Sequence, residues 1–221
     1  IFYLRLYYVP VVHFSSNHTT QQKKQWRIGT YHVHSFLSHD SDLTLDEIAE
    51  AAQKANIDFV IITDHNQLLD EPSIINDVLL IPATEYSTPQ GHLISLASTQ
   101  LVAEDKRYAE QKDIYQSIHA VNGYTIIAHP TDDKSPWSGN TLDADGVEIA
   151  NMTSSLRKIG SPWFIGLLPY LLAWPVSPTI ALAQLYERDH TALAIWDNQL
   201  NPAYAGLCAV DAHGWMHLSQ N

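Results

Sequence analysis

The sequence has little cysteine and little positive charge. Its single cysteine, Cys208, excludes an intrachain disulfide framework and a zinc site built from several cysteines. It has 12 Lys and Arg residues against 24 Asp and Glu residues, so its formal net charge is −12. Because so acidic a protein repels phosphate backbones, we expect no nucleic-acid partner. The hydrophobic content of 45% excludes a disordered chain.

Residues 159–186 lack Asp, Glu, Lys and Arg altogether. The length of this segment would suit a membrane-spanning helix. Pro162, Pro169, Pro175 and Pro178 argue against one continuous helix. We therefore expect a helical segment that is buried or makes peripheral contact with a membrane surface.

The chain divides into a short extension and one domain. Residues 1–14 are mostly apolar and aromatic but too short to span a bilayer, and residues 17–24 are polar and typical of a linker. We assign residues 1–25 to an N-terminal extension and linker, and residues 26–221 to a single folded domain.

Predicted strands and helices alternate along this domain. Thr44 and Glu47 match a capping box, which predicts a helix that runs to about Ala55. Other helices are predicted at residues 110–122, 179–188 and 190–199. Strands are predicted at residues 28–33, 58–63, 78–84, 91–97, 124–128, 146–150 and 206–210. This order is typical of a parallel α/β architecture, with a closed or nearly closed barrel as its natural form.

Candidate metal ligands follow five of the seven predicted strands. They are His32 and His34, His65, Glu85, His129, and Asp211 with His213. Residues two apart in a strand share one face, so each pair can reach one ion. The active site of an α/β barrel lies at the carboxyl ends of its strands. Imidazoles and carboxylates are ligands of zinc, manganese and iron, so the pattern predicts a metal centre there.

The motifs at these positions resemble those of the PHP (polymerase and histidinol phosphatase) superfamily. They are His32-Val33-His34-Ser35, Thr63-Asp64-His65-Asn66, Glu85, Ala128-His129-Pro130 and Asp211-Ala212-His213. Two further stretches, Gly146 to Asn151 and Trp196-Asp197, are similar to stand-alone bacterial members, including the carbaryl-hydrolase-like metallohydrolases. The resemblance implies a distorted seven-stranded (β/α) barrel over residues 26–221, with two or three divalent ions (Zn, Mn or Fe). It also implies hydrolysis, most often of phosphate esters.

Charge and geometry then suggest how the ligands divide among the ions. His32 and His34 would hold one metal with Glu85 as a bridging carboxylate and Asp211 closing the set, and His129 would bind the second metal. A third site would use Asp40, His65 and His213. Asp40 stands where some members place a histidine, and we favour it over His39. His92 is either a further ligand or an ordinary strand histidine.

The remaining assignments concern catalysis and substrate. Glu85, Asp211 and His65 are the candidate catalytic residues, and Asp64 is expected to orient a histidine rather than bind metal. Arg157 and Lys158 are candidates to bind a substrate phosphate, or they form a solvated helix end.

The predicted activity is the hydrolysis of a small phosphorylated substrate by a metal-activated water. The alternatives are hydrolysis of a carbamate, amide or carboxylic ester, and a non-catalytic metal-binding module of a larger protein. We expect a cytoplasmic or membrane-associated bacterial protein. A barrel needs a helix over its last strand, and none follows His213, so we expect the sequence to be a fragment.

Overall fold

The computed structural model describes residues 27–102, 111–158, 168–170, 172–173, 175–177, 189–199 and 201–214. The predicted extension at residues 1–25 and the predicted helix at 179–188 lie outside these residues. So does most of the uncharged segment at 159–186, and its predicted membrane contact stays a prediction. Within the described residues, no helix is both long and apolar enough to cross a membrane.

Seven strands form a nearly closed, barrel-like sheet in a mixed α/β fold. In their order around the sheet they are β1 (Gly29–Val33), β2 (Phe59–His65), β4 (Val78–Thr88), β5 (Gly91–Leu96), β6 (Tyr124–Ile127), β7 (Gly146–Asn151) and β8 (Ala205–Ala209). The chain that follows β8 returns to β1, where the His34 N–H donates to the Ala212 carbonyl at 2.9 Å. The predicted distorted seven-stranded barrel is thereby confirmed.

The expectation of an all-parallel sheet was wrong for one strand. β5 is antiparallel to both of its neighbours, β4 and β6. Only Pro89 and Gln90 separate β4 from β5, and a parallel connection needs a crossover of a dozen or more residues. A further short strand, β3 (Ser73–Ile75), pairs antiparallel with β4 outside the ring.

The helices described are α1 (Leu45–Lys54), α2 (Gln111–Ala120), α3 (Met152–Lys158) and α4 (His190–Asp197). The predicted capping box of α1 is confirmed. The Glu47 N–H donates to Thr44 Oγ1 at 3.3 Å, and the Thr44 N–H donates to Glu47 Oε2 at 2.9 Å. Ile48, Ala49 and Ala52 of α1 are buried against the apolar side chains of β2 and β4. This packing fixes the outer layer and leaves the carboxyl ends of the strands free.

Candidate metal centre

Glu85 lies in the middle of a cluster of imidazole rings at the carboxyl ends of the strands. Its Oε2 atom is 3.3 Å from Nε2 of both His32 and His34, and 3.2 Å from His65 Nδ1. Its Oε1 atom is 2.9 Å from His92 Nδ1 and 3.0 Å from His129 Nε2. The carboxylate is 1% exposed. One buried carboxylate therefore contacts five imidazoles.

Asp211 approaches the same cluster from the segment that follows β8. Its Oδ1 atom lies 3.4 Å from His32 Nε2, 3.6 Å from His34 Nε2 and 3.5 Å from His213 Nδ1. Barrel closure is the reason, because the ends of the first and last strands become neighbours. The structure thus brings together both histidine-containing pairs that the sequence predicts to meet.

Asp40 forms the outer part of the cluster. Its Oδ2 atom is 3.2 Å from His65 Nε2 and 3.1 Å from His213 Nε2. Four groups of donors lie close enough to hold an ion. They are His34, Asp40, His65 and His213; His32, His34 and Glu85; His32, His129 and Asp211; and His65, Glu85 and His92, with the donor atoms of each group within 4.8 Å of one another. We call this whole set of residues the metal centre.

Several buried ring nitrogens of the metal centre have no hydrogen-bond partner in the described part of the chain. They are His32 Nε2, His34 Nε2, His65 Nδ1 and His129 Nδ1. An unsatisfied buried polar atom is costly, and a coordinated cation would satisfy it. Imidazole and carboxylate donors are also the set that zinc, manganese and iron accept. The residues present therefore fit a divalent cation.

Three residues of the metal centre have a strained backbone. His32, His129 and Asp211 have φ values of 65°, 25° and 52°, in the left-handed region that non-glycine residues rarely adopt. The pairing of β1 with β2 shifts register between Tyr31 and Val33, which places His32 in a bulge. Such conformations cost about 1–3 kcal/mol each and cluster at functional sites. They bend the strand ends so that these side chains converge.

Close packing of charge shifts the pKa values of the ligands. Burial lowers the pKa of the His34 imidazole, but the nearby carboxylates of Asp211 and Glu85 outweigh burial and raise this pKa to about 9. Burial likewise opposes protonation of His32, yet the charges of Glu148, Asp211 and Glu85 raise its pKa.

The carboxylates shift in the opposite direction. Burial raises the pKa of Glu85, but the neighbouring imidazoles, His32 foremost, outweigh burial and hold that pKa well below its usual value. Burial also raises the pKa of Asp211, but His32 and His34 outweigh burial and lower this pKa below its usual value. Without metal, these shifts favour protonated rings of His32 and His34 beside ionised carboxylates. A cation would replace those protons.

The two basic residues predicted to bind substrate lie beside the metal centre, in different surroundings. Arg157 lines a cavity of about 230 Å³ together with Glu85, His92 and Asp211, and its Nη1 donates to Asp132 Oδ2 at 2.8 Å. Lys158 lines a second cavity of about 240 Å³ that shares His129 with the first. Its Nζ lies 3.4 Å from Asp189 Oδ2.

The structure also locates the residues whose roles were left open. His92 belongs to one donor group with His65 and Glu85. His39 belongs to none of the four groups, although its ring centroid is 5.1 Å from that of His65. Asp64 accepts hydrogen bonds from the N–H and hydroxyl of Ser35, both at 2.6 Å. The expectation that Asp64 orients a histidine was therefore wrong, because it fixes the loop after β1 instead.

Two residues of the site were missed in the sequence. Glu148 is 1% exposed and accepts a 2.6 Å hydrogen bond from His32 Nδ1. A charged residue inside the apolar run Gly146 to Ala150 was the available signal. Lys134 lines the 230 Å³ cavity with Arg157, and no sequence pattern marked it.

The fold and these donors together define a candidate metal centre, lined by histidines and carboxylates, at the mouth of a barrel-like sheet. Residues 30–120 match the family model of the PHP domain, in agreement with the resemblance of the sequence motifs to the PHP superfamily. No curated protein matches the sequence.

Solved structures of low sequence identity overlap part of the chain. A two-domain protein of Bacteroides vulgatus, described as containing a predicted PHP-like metal-dependent phosphoesterase, is 18% identical with a TM-score of 0.44 over 60% of this chain and 50% of that one. A candidate metal-dependent phosphoesterase of Bifidobacterium adolescentis is 14% identical, with a TM-score of 0.40 over 57% of this chain and 78% of its own. An amidohydrolase of Chromobacterium violaceum with bound sulfate and no metal is 13% identical, with a TM-score of 0.37 over 57% of this chain and 78% of its own. The chain thus spans half the length of the Bacteroides protein.

Proposed function

We propose that this chain is a metal-dependent phosphoesterase that acts on a small phosphorylated substrate. The observation that carries the proposal is the position of Glu85, a buried carboxylate in contact with five imidazoles. Carboxylates shared between two ions are typical of sites that hydrolyse phosphate esters with a metal-activated water. The match of residues 30–120 to the PHP domain model supports the same reaction class.

We divide the ligands among three proposed sites. We assign His32, His34, Glu85 and Asp211 to the first ion, and Glu85 and His129, with His92 added, to the second. Asp40, His65 and His213 would hold a third. Bound ions of Zn, Mn or Fe would lower the pKa of a water molecule and offset the negative charge of a phosphate.

The remaining residues of the proposal act on the substrate. Glu85, Asp211 and His65 are our candidate catalytic residues, because all three line the 230 Å³ cavity where a substrate would meet the metals. Arg157 lines the same cavity and is assigned to the substrate phosphate, while Lys158 would contact a more distant part of the substrate.

A second candidate is hydrolysis of a carbamate, amide or carboxylic ester at the same metals. It is favoured by the pairing of Arg157 with Asp132, which already neutralises the most direct cationic contact for a phosphate. The two candidates differ in the charge of the substrate and in the atom that water attacks, phosphorus or carbonyl carbon, so the substrate screen must include both kinds.

The test joins elemental analysis of protein purified without chelator to a hydrolysis screen. The screen covers phosphomonoesters, phosphodiesters, carbamates and carboxylic esters, with chelated protein as the control. We expect two or three ions per chain and turnover of a phosphate ester that chelation abolishes. Fewer than one ion per chain would refute the metal centre. A metal-loaded protein that cleaves only neutral substrates would favour the second candidate.

A further inference from the structure

Glu148 lies in β7 beneath the metal centre but belongs to none of the four donor groups. Its Oε1 atom accepts hydrogen bonds from the Tyr31 hydroxyl and from His32 Nδ1, both at 2.6 Å. Its Oε2 atom accepts from the His129 N–H at 2.8 Å and from Asn151 Nδ2 at 2.9 Å. An ionised carboxylate has about four acceptor positions and no donor, so these four donors saturate it. Glu148 is therefore built to hold other groups in place and has no position left for a cation.

The group that Glu148 holds most directly is the His32 ring. Because an ionised carboxylate only accepts, Nδ1 must carry the proton in the bond to Glu148. In the neutral imidazole that a cation would bind, only one N–H remains, so the lone pair then lies on Nε2. That nitrogen is buried without a hydrogen-bond partner and lies 3.3 Å from Glu85 and 3.4 Å from Asp211. The geometry aims the lone pair of His32 at the space between two carboxylates.

We propose that Glu148 is a positioning residue that fixes the tautomer and direction of His32 for metal binding. The proposal rests on the metal centre proposed above. Tyr31, whose hydroxyl donates to the same carboxylate oxygen, completes the chain of contacts and keeps Oε1 in line with the imidazole. Removal of such a partner of a ligating histidine costs about 10–100-fold in metal affinity.

Glu148 also fixes a second ligand through its backbone. The His129 N–H that donates to Oε2 belongs to a residue held at a φ of 25°. His32 and His129 share one donor group with Asp211. The outer part of the centre is held by other contacts, since His65 and His213 approach Asp40, and His34 Nδ1 lies 3.2 Å from Ser38 Oγ. Loss of Glu148 should therefore weaken one binding step and spare another.

The first experiment titrates chelated protein with Co²⁺ alone, by calorimetry and by visible absorption, with no substrate present. Glu148→Gln keeps the size of the side chain and removes its charge. We expect one binding step to weaken about 10–100-fold with a changed Co²⁺ spectrum, and another to stay within about twofold. Glu71→Gln, at an exposed position, is the matched control and should bind as the parent does. The proposal would be overturned if every Co²⁺-binding step weakened equally, or if no step weakened.

A double-mutant cycle shows whether Glu148 acts through His32. In a His32→Gln background, Glu148→Gln should lower metal affinity less than about threefold, because the ring that Glu148 positions is gone and an amide oxygen can still accept from the His129 N–H. In a His213→Gln background, Glu148→Gln should lower metal affinity by the full ~10–100-fold. A full loss in both backgrounds would assign Glu148 a general structural role and refute the inference.

Circular dichroism and thermal unfolding of the chelated variants control for folding. If Glu148→Gln does not fold, Tyr31→Phe replaces it, since that change removes one hydrogen bond to Oε1 and nothing else. We expect a loss of about twofold to tenfold in the same binding step, and an unchanged affinity would overturn the proposal. Failure of the parent protein to bind Co²⁺ would instead refute the proposed function.

Discussion

His34 and Asp211 lie 3.6 Å apart, measured from Nε2 to Oδ1, although they follow the first and the last strands of the sheet. Their contact depends on the backbone bonds that close the barrel, in which Ala212 accepts from the His34 N–H and donates to the His32 carbonyl. Closure therefore does more than complete a sheet. It places the Asp211 carboxylate beside a cluster of histidines from four other strand ends. The metal centre is therefore complete only when the barrel is closed.

The central position of Glu85 predicts that Glu85→Gln loses metal and activity but keeps its fold. A neutral amide offers a weaker oxygen ligand and a donor where the imidazoles require an acceptor. We expect metal content to fall below that of the parent and hydrolysis to fall by more than tenfold, or about 1.4 kcal/mol of barrier. Elemental analysis, rates and circular dichroism measure this.

The control for this change is Glu71→Gln, on an exposed loop, which should leave all three measurements unaltered. A Glu85→Gln protein that retains more than about a tenth of the parental rate would contradict the bridging role.

Local signals in the sequence predicted much of the fold. The capping box at Thr44 and Glu47 needs only four consecutive residues, and the structure contains both of its hydrogen bonds. The strand ends were also predictable, because each apolar run stops at a polar residue such as Glu85 or His129. A parallel barrel then brings those ends to one side without further information.

Two features could not be predicted, because they depend on pairing across the sheet. The direction of β5 is set by its two-residue connection to β4. The apolar residues of a strand do not show whether it is parallel or antiparallel to its neighbour. Glu148 is an isolated carboxylate in the sequence, and its partner His32 is 116 positions away. Only the hydrogen bonds from Tyr31 and His32 of β1 show that the charge is satisfied rather than exposed.

Asp64 is predicted to stabilise the fold rather than to take part in catalysis. It is 1% exposed and accepts two hydrogen bonds from Ser35, which is itself fully buried. Asp64→Ala leaves the Ser35 N–H and hydroxyl unsatisfied, so we expect the free energy of unfolding to fall by about 1.5–3 kcal/mol. Denaturant unfolding of chelated protein measures this change. Asp70→Ala, at an exposed position, should change it by less than about 0.5 kcal/mol. Equal effects of the two substitutions would contradict the assignment.

The raised pKa of His34 predicts how the metal-free protein responds to pH. Its value of about 9 lies above the ordinary histidine value of about 6.5. A raised pKa in the folded state contributes stability that is complete below pH ~6.5 and is lost as the pH rises through about 9. The pKa values of His32 and His129 shift in the same direction. We therefore expect chelated protein to lose stability across this window.

Metal binding should show the opposite trend with pH. Because a cation must displace protons from these rings, apparent metal affinity should rise between pH ~6.5 and ~9. Calorimetry in buffers of different ionisation enthalpy should detect proton release at pH 7 and less of it above pH 9. His34→Gln should reduce both the proton release and the loss of stability. A parent protein that binds metal at pH 7 without releasing protons would contradict the predicted protonation of the free site.

The last prediction separates the two candidate substrates by charge. Arg157 faces the metal-lined cavity and is held there by Asp132, a 2% exposed carboxylate that also accepts from Ser154 Oγ at 2.9 Å. If Arg157 binds a substrate phosphate equally in the ground and transition states, Arg157→Gln should raise KM about tenfold and leave kcat nearly unchanged. The same variant should leave KM for a neutral ester unaltered. Lys54→Gln, which removes an exposed charge from α1, is the control and should change neither constant. An unchanged KM for the best phosphate ester would mean that Asp132 fully occupies the guanidinium, and the neutral substrates of the second candidate would then be favoured.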